Sequence, residues 1–295
     1  MSTDTPASDP FTALRPRLFA IAYRMLGTRA DAEDVLQDAW LRWHQVEQAT
    51  LQSAEAWLVT VVTRLAIDRL RLAKTEREAY VGWWLPEPLV QLADHRTPEA
   101  AAELAGELSV ALMWVLERLS PEERAAFLLR QVFDHDYAEV ATLLGKSEAA
   151  CRQIVHRASQ RVQEDRPRFE VPKDAHRRVL EKFMLAARSG EREAMKAMLA
   201  SDVQLISDGG GKVPSFGQVL RGGDRVTNLY WALSKRLLPE QIDYRPAMLN
   251  GEPGLLRYID GQLESAQAFV TDGEQIVAIY AVRNPDKLAG ISRNI

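Results

Sequence analysis

Residues 136–163 read DYAEVATLLGKSEAACRQIVHRASQRVQ, and the spacing within them decides the fold of this part of the chain. Tyr137, Val140, Ala141 and Leu144 put a small apolar face on a short helix. Gly145 permits a sharp turn, and Ser147 stands where it can cap a second helix. In that helix Cys151, Val155, Ala158 and Val162 recur at intervals of four, three and four and point inward. The opposite face carries Glu148, Arg152, Gln153, His156, Arg157 and Arg161. A short helix, a glycine turn and a longer helix with an Arg/Gln/His face make a helix-turn-helix pattern. Three arginines against one acid over 148–163 give that face a positive field. Arg pairs with two acceptors on guanine, and Gln pairs with adenine. A solvated amphipathic helix in an ordinary bundle satisfies the same spacing, and Cys151 reads as core in either case.

The surrounding composition sets bounds. At 295 residues the chain has room for about two domains. With 46% hydrophobic and 26% charged residues it reads as globular rather than disordered. No apolar run approaches the ~18 residues of a membrane span, and the N-terminus lacks an apolar leader segment, so a soluble, cytoplasmic protein is expected. Cys151 is the single cysteine, which excludes an internal disulfide and a thiolate metal cluster. The five histidines are scattered, so neither a metal nor a cofactor is expected. Up to Arg166 there are 19 Lys/Arg and 25 Asp/Glu, so any DNA binding must use local basic faces against a repulsive average field.

Upstream, Met1–Pro10 reads as a frayed tail. Leu14, Leu18, Ile21, Ala22 and Met25 recur at helical spacing, and Gly27 ends that run. Thr28 with Asp31 suggests a capped start for the next helix. Its apolar face is Ala32, Val35, Leu36, Ala39 and Trp43, and Asp34, Gln37, Asp38 and Arg42 lie opposite. Ser53 caps a third helix whose apolar residues are Trp57, Leu58, Val61, Leu65 and Leu72. Pro86 and Pro88 break the helical pattern. It resumes from Glu99 to Leu119, and Ser120-Pro121 starts a further helix. Beyond Pro167, two helices (174–188 and 191–199) precede β-prone runs, with another helix at 224–236. Asn250-Gly251, Asp260-Gly261 and Asp272-Gly273 are tight-turn signals, giving an antiparallel meander and an α+β domain.

Residues 136–163 and the run Leu119-Ser120-Pro121-Glu122-Glu123-Arg124 resemble region 4 of bacterial extracytoplasmic-function sigma factors. The stretch Asp31-Ala32-Glu33-Asp34-Val35-Leu36-Gln37-Asp38-Ala39-Trp40, with Ala56-Trp57-Leu58 and Ala66-Ile67-Asp68-Arg69-Leu70-Arg71, resembles region 2. The resemblance implies a factor that binds core RNA polymerase and promoter DNA at −35 and −10 elements, and makes and breaks no bond. It places Asp31, Asp34, Gln37 and Asp38 against polymerase. It places Ser53, Trp57, Thr60, Arg64, Arg69 and Arg71 near the melted −10 strand, where single-strand capture needs cations and a base pocket. Trp57, heading an apolar helix, reads first as core, and Arg64 with Asp68 equally fits a surface ion pair. Ser147, Arg152, Gln153, His156, Arg157 and Arg161 fall to the −35 major groove.

The last 130 or so residues resemble a SnoaL-like, NTF2-like cone. Trp84-Leu85-Pro86-Glu87-Pro88, Asp208-Gly209-Gly210-Gly211-Lys212 and Asn284-Pro285-Asp286-Lys287-Leu288 together resemble a sigma-factor subgroup carrying that extension. The resemblance implies control in cis in place of a separate anti-sigma protein, and makes those three segments regulatory. The glycine run lacks P-loop spacing and reads as a turn that approaches the linker or the DNA-binding half. The expected organisation is therefore two all-α modules and an α+β cone. The tail covers 1–9, region 2 10–80, the linker 81–96, region 4 97–166 and the regulatory domain 170–295. A monomer with a possible small-molecule effector in the cone is expected, and no membrane partner. Two rival readings stand. One is a polymerase-independent helix-turn-helix regulator on palindromic sites. The other is an isomerase-like activity in the cone, drawing on Asp202, Asp208, Tyr230 or Arg283.

Overall fold

A computed structural model describes residues 9–92, 108–165, 171–238 and 240–292. The expected tail through Ser8, part of the expected 99–119 helix and the start of the inter-domain segment after Asp165 lie outside them, whereas Asp9 and Pro10, read as tail, begin the first helix because the Asp9 side chain accepts from the Phe11 amide. The chain divides into two compact units: Met1–Glu76 with Leu116–Glu164, and Arg77–Val115 with Asp165–Ile295.

The first unit is helical. α1 (Pro10–Leu26) ends at Gly27, whose left-handed φ of 79° lets its amide reach the Tyr23 carbonyl. α2 (Arg29–Trp43) starts at Thr28, whose hydroxyl accepts from the Asp31 amide. In α3 (Ala54–Glu78) the buried stripe is Leu58, Val62, Ala66, Leu70 and Ala73. This stripe is turned from the expected one: Leu72 is 64% exposed, because small Ala66 and Ala73 sit where the helices approach. α5 (Pro121–Gln131) and α6 (Tyr137–Leu144) each begin with a reciprocal capping box, Ser120 with Glu123 and Asp136 with Glu139. Gly145, at φ 63°, ends α6 and leads into α7 (Glu148–Asp165), whose Cys151, Val155, Ala158 and Val162 are buried as their spacing requires.

The second unit is a seven-stranded sheet in the order β1-β4-β5-β6-β7-β2-β3. Its strands are β1 (Val90–Leu92), β2 (Leu199–Asp208), β3 (Leu220–Arg221), β4 (Ile242–Leu249), β5 (Glu252–Ile259), β6 (Gln262–Thr271) and β7 (Ile276–Val282). β4 to β7 form the expected antiparallel meander. Asn250-Gly251 and Asp260-Gly261 each have two successive positive φ angles, as a two-residue hairpin turn demands. β2 instead runs parallel to β7. The unit's helices are α4 (Val110–Leu116), α8 (Lys173–Ser189), α9 (Arg192–Ala197), α10 (Gly223–Arg236) and α11 (Pro285–Ser292). Phe183 of α8 and Tyr230 of α10 meet edge-on at 5.0 Å, and Phe183 meets Phe269 of β6 at 5.9 Å, fixing the core on the sheet's inner face.

The outer face is covered by residues from the described stretches 77–92 and 108–115. Trp114 lies 5.5 Å from Tyr280 of β7, Leu85 is fully buried, and β1 pairs with the edge of β4. Burial on both faces gives β5, β6 and β7 nearly unbroken buried runs instead of alternation.

Candidate nucleic-acid interface and linker clasp

On α2 the residues facing away from the core are Asp34, Gln37, Asp38 and Leu41, a helical stripe, with Trp40 beside it. Trp40 and Leu41 are 44% and 46% exposed, and the Trp40 ring lies 4.2 Å from the His44 ring, tilted against it. These two exposed apolar residues make the outer face of α2 amphipathic, which charge patterning alone does not reveal. Asp31 sits apart from the stripe. It is mostly buried and pairs with Arg69 at 2.7 Å, which ties α2 to α3.

The residues expected around the −10 strand are engaged inside this unit. Ser53 caps α3, accepting from the Ala56 amide. Thr60 donates to the Ala56 carbonyl. Trp57 is half-buried, 5.8 Å from the buried Trp43, as the core reading expects. Arg64 donates to the Leu143 and Thr142 carbonyls at 3.4 and 3.5 Å, at the negative C-terminal end of α6. Arg71 bridges Asp68 and Glu122, so Asp68 pairs with Arg71 rather than Arg64. Deeper in, Arg124, 1% exposed, donates to the Arg24 carbonyl and pairs with Glu117.

On α7, Arg152, Gln153, His156 and Arg157 share one exposed face. Arg152 is braced by Glu148 at 2.7 Å and lies over the Tyr137 ring. Ser147 accepts from the Ala150 amide as the helix cap, and Arg161 holds Glu123 at 2.9 Å. Burial pushes the Cys151 thiol pKa up, in keeping with a core side chain.

Within the second unit, the three segments expected to be regulatory converge on one carboxylate. Asp208, fully buried at the end of β2, accepts from the Tyr80 hydroxyl at 2.6 Å and the Leu85 amide at 2.9 Å. It also accepts from the Gly210 amide at 3.0 Å and Lys287 Nζ at 2.7 Å. Lys287 donates in addition to the Leu85 carbonyl, and its ammonium lies 4.0 Å from the Trp84 ring centroid. Asn284 donates to the Tyr80 hydroxyl at 2.8 Å and accepts from the Asp286 amide at 3.0 Å. Burial and the neighbouring carboxylate push the Tyr80 hydroxyl pKa well up, so it stays a donor. Gly210 has φ 62°, and a Cβ there would fall 2.5 Å from Asn284 Nδ2. Lys212 pairs with Asp286 at 2.6 Å. Leu288 is buried behind this cluster, and Pro285 opens α11. Pro86 and Pro88 hold the linker extended after Leu85. Tyr80, which makes two of these contacts, escaped sequence reading because it sits at the end of a helical run without a motif of its own.

The inner face of the sheet bounds a cavity of about 260 Å³ lined in part by Tyr230 and Arg283. Asp202 is exposed on β2 and Asp208 points to the outer face, so neither faces this cavity. Nearby Glu264 is held by Arg257 and Arg283. Burial pushes its carboxyl up, but the two guanidiniums outweigh this and hold its pKa below the usual range. A carboxylate so held is a poor proton acceptor. Among the described residues no helix is long and apolar enough to cross a membrane, and no cluster of His, Cys, Asp and Glu suits a metal.

Residues 11–76 match the family described as Sigma-70 region 2, and residues 109–162 match Sigma-70, region 4. Over 290 residues the chain is 40% identical to the ECF RNA polymerase sigma factor SigJ of Mycobacterium tuberculosis, covering 95% of this chain and 92% of that protein. It is 30% identical over 295 residues to the probable ECF RNA polymerase sigma factor SigI of the same species, covering 98% and 97%. A crystal structure of the Mycobacterium tuberculosis SigJ protein matches with a TM-score of 0.76 at 37% identity, over 95% of this chain and 97% of that one.

Proposed function

We propose that this chain, which belongs to the extracytoplasmic-function sigma factors of the sigma-70 family and directs RNA polymerase to promoters, is restrained by its own C-terminal domain. The observation that carries the proposal is the Asp208 clasp. The segment joining region 2 to region 4 leaves the first unit after Glu76 and returns at Leu116, and its described residues between, 77–92 and 108–115, belong to the second unit. A buried carboxylate and a buried ammonium fasten it there through Tyr80 and Leu85.

Initiation needs both DNA-reading modules free to engage two separated promoter elements. In the described conformation Arg64, Arg69 and Arg71 are spent on carbonyls and carboxylates of the same unit. Phosphate contacts supply much of the affinity for DNA, so arginines held this way lower promoter affinity until they are released. The clasp, by fixing the linker, favours the conformation in which Arg64 and Arg71 stay engaged. A few kcal/mol of such bias is enough to set activity. We assign polymerase binding to the α2 stripe of Asp34, Gln37 and Asp38 with Trp40 and Leu41, and −35 readout to Arg152, Gln153, His156 and Arg157.

The test is promoter-dependent transcription in vitro with core polymerase, comparing the full chain with Asp208→Asn and the milder Tyr80→Phe. Increased transcription by either variant, with circular dichroism unchanged, supports restraint. Unchanged or reduced transcription by both folded variants overturns it. Ending the chain at Arg166 is a poorer test, because it strips the cover from Leu85 and Trp114 as well as removing the clasp.

A further inference from the structure

The cavity on the inner face of the sheet has a built polar end. Strand register places Leu255 opposite Gln267, Gln267 opposite Ala281 and Ala281 opposite Ser207, one row across the concave face. Arg257 stands in the next row, between Tyr244 and Ser265. The walls are apolar: Leu205, Phe216, Leu229 and Leu233. Two of the uncharged polar groups are matched to neighbours: Tyr230 donates to Gln267 at 2.7 Å and Gln267 donates to Ser265 at 2.8 Å.

The charges are not matched. Arg257, 8% exposed, pairs with Glu264 at 2.6 Å, and Arg283 pairs with the same carboxylate. Two guanidiniums and one carboxylate leave a net charge of one positive unit at the end of an apolar cavity. Beside Arg257 on the neighbouring strand, the buried Tyr244 hydroxyl faces the guanidinium and finds no acceptor for its own proton. Burial keeps that phenol protonated, and an adjacent guanidinium, which only donates, offers its proton no acceptor. Excess positive charge at the cavity end, with an unmatched donor beside Arg257, calls for an anionic acceptor.

We propose that this cavity binds a small amphipathic monocarboxylate, a single ring or short chain seated among Leu205, Phe216, Leu229 and Leu233 with its carboxylate at Arg257. The 260 Å³ volume lies below the range of drug-sized sites and limits the ligand to that scale. A phosphate dianion would overcompensate the single excess charge and face Glu264 as a like charge. A wholly apolar guest would desolvate Arg257 and return nothing to it.

The cavity and the clasp share backbone. Ser207 and Asp208 are consecutive on β2, so their side chains point to opposite faces. The Arg283 amide donates to the Asp208 carbonyl at 2.7 Å, and the Arg283 side chain reaches the Pro214 carbonyl in the loop that follows the glycine turn. Any effect of the ligand on transcription rests on the restraint described above, whereas binding does not, and the two are measured separately.

The test is isothermal titration of the full-length chain with 4-isopropylbenzoate, 4-isopropylbenzyl alcohol and 4-isopropylbenzylamine, which share one apolar body. Saturable one-to-one binding of the benzoate, at least tenfold weaker binding of the alcohol and none of the amine are expected. Leu229→Trp, which fills the cavity from a half-buried wall position, should abolish the benzoate signal with the melting temperature retained. Arg257→Gln should bring benzoate and alcohol to equal affinity. No saturable benzoate binding, equal binding of benzoate and alcohol to the parent chain, or binding that survives Leu229→Trp overturns the proposal.

Discussion

Replacing Lys287 with Met strips the cation from a carboxylate that has no access to water. Asp208 is 0% exposed and Lys287 7%, so water cannot take over the lost interaction. Removing one partner of a buried pair costs about 3–5 kcal/mol. Three donors remain on Asp208, from Tyr80, Leu85 and Gly210, and the Met side chain keeps the stem packing of the lysine. The cost should therefore fall near the low end, about 3 kcal/mol. Asp208→Asn leaves Lys287 its Leu85 carbonyl and the Trp84 ring, so it should cost less, about 2 kcal/mol. In the double variant no charge is left unpaired, and the total should fall short of the sum by about 2 kcal/mol. Hydrogen exchange of the linker amides around Leu85 reads this directly. A loss of about 3 kcal/mol raises the opening equilibrium there by roughly a hundredfold. A Lys287→Met effect below about 1 kcal/mol, or single effects that add within about 0.5 kcal/mol, would refute the reasoning.

The two positive-φ glycines on either side of this argument give a contrast. Gly145→Ala meets nothing within 4 Å and should cost only the left-handed backbone penalty, about 1–2 kcal/mol by urea denaturation, whereas Gly210→Ala also strikes Asn284 and should mimic loss of the clasp in the exchange assay. Arg157→Ala or Gln153→Ala should each weaken binding to a cognate −35 duplex by about 1–3 kcal/mol and relax preference at one position, measured by fluorescence anisotropy at fixed salt. The acid side depends on Glu264. Its folded pKa lies below the unfolded value of 4.5, so its contribution is complete above that value and is lost as pH falls through the folded one. The melting temperature of the second unit should therefore hold level from pH 7 to about 5 and drop below about 4.5, with a shallower drop in Glu264→Gln.

Local signals carried most of the helical half into view. The helix starts at Thr28, Ser120 and Ser147 require nothing beyond the next three residues, and the inward spacing from Cys151 to Val162 holds as read. The hairpins at Asn250 and Asp260 were legible for the same reason. Three things depended on partners distant in sequence. β2 runs parallel to β7 because its neighbour is 70 or so residues away, and no turn announces it. Val90–Leu92 becomes an edge strand only because β4 offers an unpaired edge. Burial on both faces erases the alternation that marks a strand, which made these strands read as apolar runs. For the site, motif matching located the segments but not their relation. The linker proline motif, the glycine turn and the segment at Asn284 lie up to about 200 residues apart, and Asp208 is what joins them.

A buried ion pair is a poor choice where stability alone is wanted. Apolar residues of similar volume between Leu85 and Leu288, both buried, would close the same seam without taking two charges out of water. A clasp built from Asp208, Lys287, Tyr80 and Asn284 has a different property. Each member is satisfied in one geometry, and displacing any one leaves buried donors or charge unmet, so partial opening is costly at the first step. An apolar seam would give way gradually and tolerate a shifted register. The polar clasp therefore makes the linker either seated or released, with few arrangements between. Such two-state behaviour is what the proposed cis-acting restraint on initiation requires, and the carboxylate at its centre is next in sequence to Ser207, which lines the inner cavity.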